Sequence, residues 1–183
     1  MMDTKTEIRA ATPEDCNRIL EIYAPYILHT PITFEYEIPS VDEFRYRIEQ
    51  TLTRYPYLVA LIDGTIVGYT YVSAFKSRPA YDWSVETSVY IDEHYHGQGI
   101  GSALYRELEL ILKKQRICNL CACIAYPNPE SIRFHELHGF QTVAHFHKCG
   151  YKFNTWYDMV WMEKMIGDHL QEQMSVIPFK EVL

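Results

Sequence analysis

Two features of the chain carry residues whose types and spacing could do chemistry. The first is His96-Gly97-Gln98-Gly99-Ile100-Gly101, which follows the apolar run Ser84–Ile91 and precedes the helically spaced Leu104, Leu108, Ile111 and Leu112. Glycines let backbone N–H groups turn inward and approach an anion closely, and the helix that follows adds its positive N-terminal end. A pyrophosphate could dock from Gly97 through Ser102; three alternating glycines taken bare equally suit a tight turn. A dinucleotide loop would want G-x-G-x-x-G near a βαβ start, and a Walker loop would end in Gly-Lys-Ser/Thr, whereas Gly101-Ser102 has no lysine. Nicotinamide and ATP are therefore poor fits. The second feature is Glu86, a carboxylate in a strand otherwise suited to burial, where an unpaired charge is costly. Such a group is either an acid–base residue or a solvent-facing or ion-paired one. Lys76 and Arg78 shortly before it suit an anionic ligand, or a solvated turn ahead of Pro79.

These residues need elements to position them. Glu7–Ala11 reads as a first strand, and Thr12-Pro13-Glu14-Asp15 as a helix start with Thr12 as cap and Pro13 first in the helix. A second helix is expected after Ser40, with Val41, Phe44, Ile48 and Leu52 on one face. Tyr57–Ile62, the Asp63-Gly64 turn and Thr65–Ala74 read as a hairpin, followed by the strand Ser84–Ile91. After the glycine loop come a helix from about Gly101 to Gln115, a strand Asn119–Tyr126, a helix Pro129–His138, and two strands, Phe140–Tyr151 and Tyr157–Met165. The order β-α-α-β-β-β-α-β-α-β-β argues for an α/β (α+β) mixed sheet with helices on its faces rather than a regular doubly wound sheet. One domain over residues 1–166 is expected, with residues 167–183 an unassigned C-terminal tail.

Composition bounds the partners. The 183 residues, 48% hydrophobic and 22% charged, are enough for one globular core and too few for two comfortable domains. A net charge of −7 weighs against nucleic acid as the main partner. Charge in Met1–Glu7 and the lack of an apolar run of about 20 residues point away from export and membrane and toward the cytoplasm. Of the five cysteines, Cys118-x-x-Cys121-x-Cys123 could suggest a metal, but Asn119–Ala125 alternates like a strand and no second Cys/His cluster has zinc-finger spacing, so no metal is expected.

His96–Gly101 is similar to the Gln/Arg-x-x-Gly-x-Gly/Ala signature of the GNAT N-acetyltransferase superfamily, with His in the first position. Asn128-Pro129-Glu130-Ser131 through Gly139-Phe140 resembles its second block, Asn-x-x-Ser/Ala…Gly-Phe. More narrowly, Ala80–Ile91, Gly150-Tyr151-Lys152-Phe153 and Trp156-Tyr157-Asp158 resemble the phosphinothricin and methionine sulfoximine acetyltransferase branch, and the likeness runs from about Ile8 to Met165.

The resemblance implies the GNAT fold, a central, mostly antiparallel twisted sheet flanked by helices. It also implies acetyl-coenzyme A as co-substrate and direct attack by an amine within a ternary complex. On that reading Glu86 is the base, and the backbone of Val89, Tyr90 and Ile91 binds the pantetheine. Gly97, Gln98, Gly99, Ile100, Gly101 and Ser102 take the pyrophosphate, Asn128 touches the cofactor, and His135 is a candidate acid. Lys76, Ser77, Arg78, Thr87 and Ser88 join Glu86 at a small amino-acid-like amine. The alternatives are a protein N-terminal or lysine acetyltransferase, or a non-catalytic coenzyme-A-binding protein. Some members of the branch are dimers, so a homodimer is also an expectation, with fifteen Tyr to supply an interface.

Overall fold

The computed structural model describes residues 6–183. One seven-stranded sheet runs through the molecule in the order β1-β2-β3-β4-β5-β7-β6. Its strands are β1 (Glu7–Ala10), β2 (Tyr57–Ile62), β3 (Thr65–Ala74), β4 (Ser84–Ile91), β5 (Asn119–Tyr126), β6 (Gln141–Lys152) and β7 (Thr155–Met165). The helices are α1 (Cys16–His29), α2 (Val41–Leu52), α3 (Ile100–Lys114) and α4 (Pro129–Leu137). Every neighbouring pair is antiparallel except β4–β5, which is parallel, so the expected mixed, mostly antiparallel sheet is what forms.

Strand alternation divides the core in two. Leu58 and Ala60 of β2 face one cluster while Tyr57, Val59 and Leu61 face the other, as a period of two requires. The first cluster is closed by Leu104, Leu108, Ile111 and Leu112 of α3, the second by Ile19, Tyr23 and Ile27 of α1 and Phe44 and Ile48 of α2. Burying a side chain of this size contributes roughly 1.5–3 kcal/mol, so the apolar stripes rather than helix propensity hold these helices on the sheet. Ser40 caps α2 by accepting from the Glu43 N–H. The helix expected to begin at Pro13 starts instead with a single 3-10 turn, Pro13–Asp15, whose Asp15 carboxylate accepts from the Thr12 N–H and pairs with Arg9.

Two segments without sequence patterns are fixed by long-range bonds. The loop between α1 and α2 is held by Lys152 of β6, whose buried ammonium donates to the carbonyls of Thr30 (2.9 Å) and Thr33 (2.7 Å). Next to it, Gly150 lies so close to the Phe34 ring that a Cβ there would stand 2.3 Å from ring carbon. The segment after Gly167 returns to the main core. Phe179 is 2% exposed, the Trp83 indole donates to the Met174 carbonyl, and the Gln115 amide donates to the carbonyls of Arg54 and Ile177. Among the described residues no helix is long and apolar enough to cross a membrane.

Candidate active site

The parallel pair β4–β5 is hydrogen-bonded over only three rungs, Ser84–Asn119, Val85–Leu120 and Glu86–Cys121. Both strands continue, β4 to Ile91 against β3 and β5 to Tyr126 against β7, but no longer against each other. The result is a gap in the sheet in which the β4 edge from Thr87 onward has no strand beside it, the Ile91 carbonyl accepting instead from the Tyr26 hydroxyl. Unpaired backbone of this kind is a template for an extended, amide-bearing ligand. Thr87–Tyr90 form one wall and Ala122–Ala125 the other, with Tyr105, Ser131 and His135 behind them. The gap shares Val89, Asn128, Ser131 and Ile32 with a larger cavity of about 410 Å³ that runs on to Gly97–Ser102. One groove therefore runs from Thr87, the residue after Glu86, to the glycine loop.

At the loop end, Gly97 (φ +74°) and Gly99 (φ +78°) both hold left-handed backbone, and Gly99 caps α3. The first bond of that helix runs from the Ala103 N–H to the Gly99 carbonyl, so the N–H groups of Ile100, Gly101 and Ser102 have no acceptor within the helix. These donors at a helix N-terminus suit a phosphate. His96 turns away from them: its Nε2 lies 3.0 Å from the Tyr26 hydroxyl and 3.1 Å from the Ile91 carbonyl, which anchors the loop to the end of β4 and to α1. Arg18 donates to Asp92 and to the Ile66 carbonyl and fixes the turn out of β4 from the other side.

At the other end Glu86 is half-buried, and burial raises its pKa above the ordinary carboxylate value while the charge of Lys76 pulls it back. The Lys76 ammonium lies 4.9 Å from the centre of the Phe75 ring and 5.9 Å from that of Trp161, so it stands on the same side of the sheet as Glu86. Ser77 and Arg78 are exposed in the turn that follows. The structure separates Thr87 from Ser88. Alternation keeps Ser88 on the face of Glu86, whereas Thr87 points to the α3 side, where its buried hydroxyl has no hydrogen-bond partner among the described residues. A buried polar atom left unpaired beside a groove is the kind of site a polar ligand completes.

His135 lies behind this wall, buried, with Nδ1 2.7 Å from the Ser131 carbonyl and Nε2 3.0 Å from the Tyr105 hydroxyl. Burial pushes its pKa down to about 4. A ring neutral at pH 7 that donates from Nδ1 to Ser131 must accept at Nε2, so Tyr105 is the donor of this pair. His135, the candidate acid, is thus a buried ring whose Nε2 accepts from the Tyr105 hydroxyl. Asn128 does cap α4, its Oδ1 accepting from the Ser131 N–H at 3.1 Å, and also lines the groove.

Several groove residues went unread in the sequence. Tyr105 was hidden beside the apolar stripe of α3, and Ile32 sits in a loop with no pattern of its own. The alternation His145-x-His147 is itself legible in the sequence, since both side chains of such a pair share one face of a strand.

Comparison with known proteins places this chain in a family. Residues 8–161 match the profile of the acetyltransferase (GNAT) domain. The chain is 35% identical over 153 residues to a phosphinothricin N-acetyltransferase of Streptomyces viridochromogenes, covering 84% of each chain. It is 31% identical over 166 residues to an L-methionine sulfoximine/L-methionine sulfone acetyltransferase of Salmonella typhimurium, covering 88% of this chain and 95% of that one. Among solved structures, a GNAT superfamily phosphinothricin acetyltransferase of Sinorhizobium meliloti in complex with acetyl-coenzyme A superimposes with a TM-score of 0.85 at 34% identity, over 88% of this chain and 89% of that one. With its strands parted after Glu86 and a glycine loop opening α3, the chain belongs to the GNAT acetyltransferase family.

Proposed function

We propose that the protein is an N-acetyltransferase that moves the acetyl group of acetyl-coenzyme A to the amine of a small amino-acid-like substrate of the phosphinothricin or methionine sulfoximine type. The observation that supports this reading is the parting of β4 from β5 immediately after Glu86, a half-buried carboxylate of raised pKa one residue before the groove that leads to free N–H groups at the start of α3. The edge of β4 at Val89, Tyr90 and Ile91, which no strand covers, would hold the pantetheine, and Gly97–Ser102 with Asn128 the pyrophosphate end. The coenzyme supplies an activated acetyl thioester.

Glu86 then has one task. A free amine is mostly protonated at neutral pH, and the carboxylate, directly or through water, takes the proton so that nitrogen can attack; the C–N bond forms as the C–S bond breaks. Tyr105, oriented by His135, lines the groove where the sulfur would depart. Lys76, with Arg78 and Ser77 in the adjoining turn and Ser88 on the same face, would meet the carboxylate and side-chain anion of the substrate. The fifteen Tyr include Tyr36 and Tyr151, which with Phe153 and Trp156 form an exposed aromatic rim that supports a homodimer. All five cysteines are free, which suits a reducing cytoplasm.

The test is thiol release from acetyl-coenzyme A in the presence of L-phosphinothricin, L-methionine sulfoximine, unmodified amino acids, polyamines and an alanine-terminated peptide. Turnover is expected with the amino-acid analogues. Turnover confined to the peptide, or no calorimetric binding of acetyl-coenzyme A to the folded chain, would reject the reading.

A further inference from the structure

The β6–β7 hairpin gathers three side chains with metal-binding atoms away from the groove. His145 and His147 share one face of β6, and Asp158 stands across from them on β7. His145 Nε2 lies 2.8 Å and His147 Nδ1 3.0 Å from the same carboxylate oxygen, Oδ2, and the three ligand atoms all fall within 4.8 Å of one another. In a tetrahedral site with bonds of about 2.0–2.1 Å the ligand atoms stand about 3.3 Å apart. Small side-chain rotations would open that space.

The surroundings favour a site over a chance cluster. The second oxygen of Asp158, Oδ1, accepts from the Lys148 N–H at 2.8 Å, and Lys148 sits at φ +49° in the irregular stretch of β6 between Phe146 and Gly150. The backbone thus aims the carboxylate and leaves Oδ2 to face the imidazoles, as an outer-shell partner does for a metal ligand. The His145 ring is braced against Tyr126, with centroids 4.8 Å apart, and the His147 side chain is 76% exposed, which leaves room for water.

We propose that His145, His147 and Asp158 form a site for one zinc-class divalent cation, held by two imidazole nitrogens, one carboxylate oxygen and water. Asp158 pairs with Tyr126, and Glu86 with Cys121; Tyr126 and Cys121 fall on opposite faces of β5 by strand alternation. The ion lies across the sheet from Glu86 and clamps β6 to β7. Two imidazoles and a carboxylate suit zinc, cobalt(II) or nickel rather than calcium or magnesium.

The experiment uses tag-free, chelator-treated full-length protein titrated calorimetrically with zinc chloride and followed by cobalt(II) absorption. The wild type and Cys149→Ser, which removes the exposed thiol nearby in sequence, should each bind one equivalent. His147→Ala should weaken binding at least about tenfold, and His145→Ala/His147→Ala should abolish it while circular dichroism shows an intact fold. Zinc should raise Tm in the wild type and not in the double variant. Absence of stoichiometric binding, which leaves a hydrogen-bonded His–Asp–His network only, overturns the site. So does binding that survives the double substitution or disappears with Cys149→Ser.

Discussion

Glu86 and Cys121 face each other on the last rung that joins β4 to β5. One residue further the strands separate, so the carboxylate sits where the sheet forks, half-buried and shielded enough for its pKa to rise. Lys76 opposes that rise from the same face.

Removing the Glu86 charge should separate activity from stability. Burial raises its folded pKa above the ordinary carboxylate value, so the folded state binds the proton more tightly than the unfolded state does. Stability then falls as pH climbs from the unfolded value through the folded one, and the penalty persists above. Glu86→Gln should lower kcat by about 10²–10⁴-fold and leave Tm at neutral pH unchanged or higher, as pH-resolved thermal melts will show. Lys76→Ala should move the acidic limb of kcat/KM to higher pH.

The cysteines beside Glu86 should stay out of the chemistry. Burial first, then the charges of Glu163 and Glu86, push Cys121 up to about 11, and burial with Glu86 pushes Cys123 up to about 12, so neither is a thiolate at neutral pH. Incubation with acetyl-coenzyme A alone should leave the intact mass of the chain unchanged, and initial-rate plots should intersect. A stable added acetyl group on either cysteine would contradict direct transfer.

Lowering pH should destabilise the fold through His135. Its folded pKa is about 4 against 6.5 for the free side chain, so the unfolded chain takes up the proton first. The stabilisation present above pH 6.5 is lost as pH falls toward 4, by roughly 3 kcal/mol in all. Urea titrations across that window should show the slope in the wild type and a shallower one in His135→Gln.

Gly99→Ala should act on the cofactor end alone. No atom lies within 4 Å of a Cβ there, so the cost is the left-handed backbone at φ +78°, about 1–2 kcal/mol. The KM for acetyl-coenzyme A should rise several-fold while the amine KM holds, and an unchanged acetyl-coenzyme A KM would count against this loop as the phosphate cradle.

Gly150→Ala should be costly for the opposite reason. The new Cβ would meet the Phe34 ring at 2.3 Å, and the strain of such overpacking is about 1–3 kcal/mol. Phe34→Ala added to Gly150→Ala should recover part of that loss, giving a coupling energy in a double-mutant cycle.

The sequence by itself determined the elements whose signals lie within a few residues. The hairpin β2–β3 follows from alternation around Asp63-Gly64, both at positive φ, and the start of α2 from Ser40 capping its own first turn. The left-handed positions at Gly97 and Gly99 were legible in the same way, as were the bounds of β4 and β5, because φ preference and side-chain period are local properties.

Only the tertiary structure decided where β4 leaves β5, which face Thr87 and Ser88 take, and how deep His135 lies. It alone brought Lys152 to the Thr30–Thr33 loop and Phe179 into the core. These depend on contacts between residues far apart in the chain. Neither burial, which sets the pKa of Glu86 and His135, nor the pairing of two strand edges is a property of any short stretch of sequence.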